Sequence, residues 1–142
     1  MDNNINILDE LNKGCFMGID ALDYIIPICS ENSFLELLNN QKKEYENLST
    51  RLESLYHDYS DSDIHKTNTM EKMMLWYGIK KDTILDDSIS NLASLLITGT
   101  NMGIVEGRKI LNHKTMDKKV HKLCTEYIIM QEKYLEKLKD YL

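Results

Sequence analysis

Four segments of this 142-residue chain place apolar residues at alternating steps of three and four, and almost nothing interrupts them. That spacing keeps side chains on one face of a helix, because an α-helix turns once in about 3.6 residues. The first row runs Leu8, Leu11, Cys15, Gly18, Leu22, Ile25, Cys29, with Ile7, Gly14, Ala21 and Ile28 beside it. The second runs Phe34, Leu38, Gln41, Tyr45, Leu48, Leu52, Leu55, Tyr59. The third is Leu85, Ile89, Leu92, Leu96, Gly99, Gly103, Glu106, Ile110. The fourth is Cys124, Ile128, Gln131, Leu135, Leu138, Leu142, flanked by Val120, Leu123, Tyr127, Met130 and Tyr134. Doubled rows make a wide buried stripe, as a bundle requires. The chain holds one proline and six glycines, the residues that cost a helix most, so long helices have room to form. No run of β-branched residues alternates with polar ones between turn residues, which argues against strands.

The boundaries follow from local chemistry. Pro27 lacks a backbone donor and ends the first helix, and Ser30-Glu31-Asn32 makes a short turn. Ser33 with Glu36 three residues later reads as a capping box for the second helix. Ser60-Asp61-Ser62-Asp63 ends that helix, and Met70–Lys80 reads as a short helix inside a long crossover. Asp86-Asp87-Ser88 opens a third main helix, favoured there by the helix dipole, and Asp117 opens the last. Two short connections and one long one give an antiparallel pair, a crossover and a second antiparallel pair. A repeat supports this order. Gly-x-x-Met-Gly-Ile occurs at Gly14–Ile19 and at Gly99–Ile104, and Gln41-x-Lys43-x-x-Glu46-x-Leu48 matches Gln131-x-Lys133-x-x-Glu136-x-Leu138. The offsets are 85 and 90 residues. The expected architecture is one all-α domain over residues 1–142, a four-helix bundle of two duplicated helix pairs.

A net charge of −6 with no dense Lys/Arg block offers no face for a phosphate backbone, so nucleic acid is not an expected partner. The longest apolar stretches, such as Leu95-Leu96-Ile97, fall far short of the roughly 20 residues that cross a bilayer. The opening Met-Asp-Asn-Asn is acidic and polar where a secretory signal carries positive charge and then an apolar run. Cys15, Cys29 and Cys124 are odd in number and widely spaced, which reads as reduced thiols of a cytoplasmic protein.

Two duplicated helix pairs with a long crossover resemble the ferritin-like superfamily over essentially the whole chain. More narrowly, Gly14-x-x-Met17-Gly18-Ile19, Thr98-Gly99-Thr100-Asn101-Met102-Gly103 and the closing stretch Glu132–Leu142 are similar to small bundle proteins of spore-forming bacteria, some of them related to coat proteins. The resemblance implies a fold more than an activity. Oxidative members of the superfamily hold two metals with one Glu from each of two helices and Glu-x-x-His from the other two. This chain contains no Glu-x-x-His, and its matched inward residues on the second and fourth helices are the neutral amides Gln41 and Gln131. Glu106 is the one carboxylate on a core row, with Glu44 and Glu126 near inward rows. Glycine at Gly14, Gly18, Gly99 and Gly103 is expected to allow close helix–helix approach, with Met17 and Met102 filling the irregular gaps. Gln41 and Gln131 must then find buried partners, in one another, Thr98, Thr100 or trapped water. Glu106 would pair with Arg108, Lys109 or the Tyr127 hydroxyl.

No other pattern dictates a reaction. There is no Walker loop, nucleophile elbow or dinucleotide fingerprint. His57 and His65 flank the acidic loop Asp58-x-x-Asp61-x-Asp63, which reads as a solvated surface, and His113 and His121 straddle the last turn. Met70, Met73, Met74, Trp76 and Tyr77 form the softest, most aromatic stretch, either packing the crossover onto the bundle or forming a face for a partner. The leading expectation is a non-catalytic bundle without cofactor, acting as a homo-dimer or other homo-oligomer or through a protein partner, with sporulation as the context the resemblance implies. The alternative is a degenerate binder of iron, manganese or haem, with a site built from Glu106, Glu44, Glu126 and His121.

Overall fold

A computed structural model of the chain describes residues 3–64, 74, 77 and 86–142. Among these residues the regular structure is helical throughout, without strands. Helix α1 spans Asn3–Ile25, and a 3-10 turn at Ile26–Ile28 follows; α2 spans Asn32–Tyr56, α3 Ile89–His113 and α4 Lys118–Lys139. The four helices pack as a bundle.

Each helix starts and stops for an identifiable reason. Pro27 sits in the 3-10 turn, where its missing donor cannot serve an α-helical bond, and α1 ends two residues before it. The second helix departs from expectation. Its N-cap is Glu31, whose carboxylate accepts from Ser33 N at 2.8 Å and Phe34 N at 3.1 Å, so Ser33 lies inside the first turn. The Ser33 hydroxyl bonds to that carboxylate at 2.9 Å and to Tyr141 at 2.8 Å. Ser88 caps α3 by accepting from Asn91 N at 3.3 Å. Asp117 stands at the N-cap of α4 without a side-chain cap bond, because its carboxylate receives the Tyr59 hydroxyl at 2.6 Å.

Contacts at the ends fix the arrangement. Asp117 N donates to Asn4 Oδ1 at 2.9 Å, and Asp117 takes the Tyr59 hydroxyl, so the start of α1, the residues just after α2 and the start of α4 share one end. Ser33 meets Tyr141 at the other, where Phe34 also packs on the Tyr141 ring at 4.9 Å. Neighbours α1/α2, α2/α4 and α3/α4 run antiparallel, as Asn12–Ser49, Gln131–Tyr45 and Gly107–Ile128 show. Helix α2 therefore ends, and α3 begins, at opposite ends of the bundle.

Helix α1 lies against all three of the others and buries the widest stripe; α3 lies mainly against α4 and α1 and buries a narrower one. That difference corrects one expectation drawn from the repeat. Met17 on α1 is buried, but its counterpart Met102 on α3 is 39% exposed and fills no core gap. The two motifs are alike in sequence and unlike in surroundings.

Candidate functional site

The described helical glycines face side chains rather than backbone, and at four of them, Gly14, Gly18, Gly99 and Gly103, the side chain is large and polar. A Cβ at Gly18 would lie 2.5–2.9 Å from the Tyr45 ring, and one at Gly14 would sit inside the Tyr127 hydroxyl and 2.8 Å from Cζ. A Cβ at Gly103 would lie 2.8 Å from Gln131 Cδ, and the Tyr77 ring leaves no room for one at Gly99. The expectation of close backbone approach is thus corrected in kind. Each glycine is a notch, and a large polar side chain from another segment fills it.

The fillers form one layered polar column along the bundle axis. Nearest the end where α1 starts, Ser49 Oγ donates to Asn12 Oδ1 at 2.6 Å. Next comes Tyr127 over Gly14, and then Tyr45 over Gly18, whose hydroxyl donates to Gln131 Oε1 at 2.9 Å. Gln131 Nε2 donates to the Tyr127 carbonyl at 3.3 Å. In the last layer Gln41 Nε2 donates to Thr100 Oγ1 at 3.3 Å, beside Tyr77 over Gly99. Gln41, Gln131, Tyr45, Tyr77, Tyr127 and Thr100 are all buried. The two glutamines bond to Thr100 and Tyr45, not to each other, and Thr98 is an exposed residue bonded to Ser94 O.

Burial governs the chemistry of this column. It pushes the Tyr45, Tyr77 and Tyr127 hydroxyls well above the ordinary tyrosine range, and it does the same to the Cys15 thiol. The Cys124 thiol is pushed up to about 11 by burial, with Arg108 pulling weakly the other way. These groups stay neutral near pH 7. They donate and accept hydrogen bonds but supply neither a phenolate ligand nor a thiolate nucleophile. Cys15, Cys29 and Cys124 are all free.

The carboxylates singled out from the sequence lie elsewhere. Glu106 faces an open groove of about 690 Å³ between α1 and α3, shared with Asp9, Glu10, Lys13, Lys109 and His113. Beneath it is a void of about 30 Å³ between Leu11, Met17, Gly107 and Tyr127, room for about one water. Of the expected partners, the Tyr127 hydroxyl is at Gly14 and Arg108 lies 4.0 Å from Glu132, while Lys109 lines the same groove as Glu106. Glu44 and Glu126 face the α2/α4 groove instead, and His121 is exposed on α4. So Glu44, Glu106, Glu126 and His121 are not brought together. The rows that contain them turn outward within a residue or two of the core, and among the described residues no group of three or more His, Cys, Asp or Glu could hold a metal ion. His57 and the acidic residues Asp58, Asp61 and Asp63 are exposed. Of the Met- and aromatic-rich stretch, Tyr77 is buried and so unavailable to a partner, and Met74 is half-buried. Met70, Met73, Trp76 and His65 lie outside the described residues.

In the α2/α4 groove the acids are held by cations. Arg51 grips Glu126 through both nitrogens, at 3.0 and 2.6 Å, and lowers that carboxyl's pKa. At Glu44 burial pushes the pKa up, but hydrogen bonds from Lys133, at 2.7 Å, and Tyr134 outweigh it and the net shift is downward. A depressed carboxyl stabilises the fold above its unfolded pKa, and that contribution is lost as pH falls through the folded value. Both pairs are more than a third exposed, so each contributes less than about 1 kcal/mol in dilute salt. Urea titrations at low ionic strength should show stability falling below about pH 4.5, and the double variant Glu44→Gln/Glu126→Gln should flatten that fall. An unchanged pH slope in the double variant would remove both pairs from the account.

Among the described residues no helix is long and apolar enough to cross a membrane. Comparison with protein-family models, curated proteins and solved structures found no match to this chain.

Proposed function

We propose that this protein is a non-catalytic, cytoplasmic ferritin-like bundle that acts through self-assembly or partner binding. One observation carries the reading. The centre of the bundle, where a metal-holding relative would place acids, is filled by neutral tyrosine and glutamine side chains seated on glycines. Filling that space with hydrogen-bonded phenols spends the core on rigidity and register. What remains for function is the outside.

The notch contacts also support the duplication. Gly18 faces Tyr45 and Gly103 faces Gln131, which relates the helix pairs by offsets of 85 and 86 residues. On this register Tyr45 corresponds to Gln131 and Gln41 to Tyr127, one turn away from the Gln41–Gln131 match read from the sequence. The long connection between opposite ends of the bundle suits a crossover. The resemblance of the sequence to coat-related proteins supports a role in sporulation.

The outer face of α3 supplies a contact for a second copy. Met102 and Val105, three residues apart, are 39% and 40% exposed. Light scattering on protein purified without an affinity tag, run beside metal analysis, tests the proposal. The expected result is a metal-free dimer whose mass falls to the monomer in Met102→Glu/Val105→Glu, with the melting temperature little changed. Stoichiometric iron or manganese would overturn the non-catalytic reading, and a monomer at high micromolar concentration would overturn self-assembly.

A further inference from the structure

The groove between α2 and α4 carries an alternating pattern of charge. Glu44 and Arg51 lie seven residues apart on α2, and Glu126 and Lys133 lie seven apart on α4, so each pair is separated by two turns, about 10.5 Å. Because these helices run antiparallel, Glu44 meets Lys133 at one end of the groove and Arg51 meets Glu126 at the other. Acid and base therefore alternate around four corners. All four side chains are between 37% and 48% exposed, so the pattern is presented to the outside. Between the corners the surface is apolar. Ile129 stands three residues after Glu126 and four before Lys133, on the same helix face, and is 58% exposed. Leu48 and Met130, both buried, line the space of about 330 Å³ beside it.

This pattern is its own complement. Turning a second copy over, about a two-fold axis along the helices, lays Glu44 on that copy's Lys133 and Arg51 on its Glu126. Turning it about an axis across the helices lays Glu44 on Arg51 and Lys133 on Glu126 instead. Either way acid meets base at all four corners, and the apolar centres meet in the middle. A two-fold contact uses the same patch on both copies, so the patch must complement itself, as this one does. A partner of one dominant charge would find two corners opposed to it. We infer that the α2/α4 groove is a contact surface for a second copy of this chain, with Ile129 as its apolar centre and the four charges setting its register. Complementary charge supplies specificity more than affinity, so this is a weak contact. It rests on the self-assembly reading and adds to it: the α3 face and this groove share no residue, so dimers formed through α3 join through the groove as concentration rises.

Sedimentation velocity at low salt on the Met102→Glu/Val105→Glu protein tests the inference, because that background removes the α3 contact. The background should be monomeric at micromolar concentration and dimerise towards millimolar, and adding Ile129→Lys should weaken that dimer at least about tenfold. Two further variants of the background reverse the corners. Glu44→Lys/Glu126→Lys makes all four basic, and Arg51→Glu/Lys133→Glu makes all four acidic. Neither should associate with itself, while their equimolar mixture should form a one-to-one dimer. Net charge does not explain that result. The two glutamates of the background take −6 to −8, and the reversals then take it to −4 and −12, so both members of the mixed pair are negative and repel at long range. Helical circular dichroism checks that the reversed variants fold; if one does not, Ile129→Lys, at an exposed position, decides alone. A background that stays monomeric near millimolar concentration, self-association by either reversed variant, an inert mixture, or an Ile129→Lys protein that dimerises as before overturns the inference. Failure of the α3 contact looks different: wild type and background then have the same mass, and the groove variants still lower it.

Discussion

Replacing Tyr45 by alanine lowers stability by about 4 kcal/mol, the largest loss expected from a single side chain in this bundle. Two effects add. The ring is 0% exposed and packs directly on Gly18, so its removal opens a cavity beside a residue that has no side chain to collapse into it. Its hydroxyl is also the donor to Gln131 Oε1, and losing it leaves a buried acceptor unpaired. The second effect can be separated from the first. Tyr45→Phe keeps the ring and should cost about 1–2 kcal/mol, the loss of the hydroxyl's bonds to Gln131 Oε1 and to the Tyr77 hydroxyl. Urea denaturation of both variants checks the ledger, with unchanged slopes as the sign that only the folded state was altered. A domain of this size has about 5–15 kcal/mol to lose, so the alanine variant should give up between about a quarter and four fifths of its stability. If Tyr45→Phe is neutral, the polar column is packing alone, and the hydrogen bond carries nothing.

The helices themselves were readable because their cause is local. Steps of three and four set the buried face, Pro27 stops α1, and Ser88 and Asp117 mark the starts of α3 and α4. The buried positions of Gln41 and Gln131 follow from the same rows. What the rows could not reveal is which segment fills a gap. Gly14, Gly18, Gly99 and Gly103 point inward on spacing alone, but their fillers lie between 22 and 113 residues away along the chain. Sequence spacing carries no record of that partner. A signal did exist in part: Tyr45 and Tyr127 lie on inward rows at the levels of Gly18 and Gly14, and a buried phenol opposite a glycine is a natural fit of large to small. The difference between Met17 and Met102 was illegible for another reason. Identical motifs bury different residues when one helix lies against all three of the others and the other mainly against α4 and α1. The cap at α2 failed on reach, since the longer Glu31 side chain serves two backbone donors where Ser33 was expected to serve one.

Gly14 provides the sharpest test that the notches, rather than close backbones, explain the glycines. Gly→Ala within a helix ordinarily stabilises by about 1 kcal/mol, because alanine has less backbone freedom to lose. At Gly14 the sign should reverse, with a net loss of about 2 kcal/mol, since the new methyl falls on the Tyr127 hydroxyl and 2.8 Å from Cζ. A phenol is rigid along its axis, so it cannot bend its tip away; the whole ring must move, and it is 2% exposed with a void of only about 30 Å³ beside it. Gly107 is a second case. A methyl there meets Ile128 Cγ1 at 2.7 Å and the Tyr127 ring at 3.2 Å, and Cγ1 sits on a β-branched carbon with one favoured helical rotamer, so Gly107→Ala should also destabilise. Truncating the filler should then rescue the first variant. In the cycle Gly14→Ala with Tyr127→Leu, the methyl occupies space the phenol has left, and a coupling of at least about 1 kcal/mol is expected. Thermal or urea melts of the four proteins measure it. A stabilising Gly14→Ala, or a cycle that adds without coupling, would mean that α1 and α4 are not locked through this phenol.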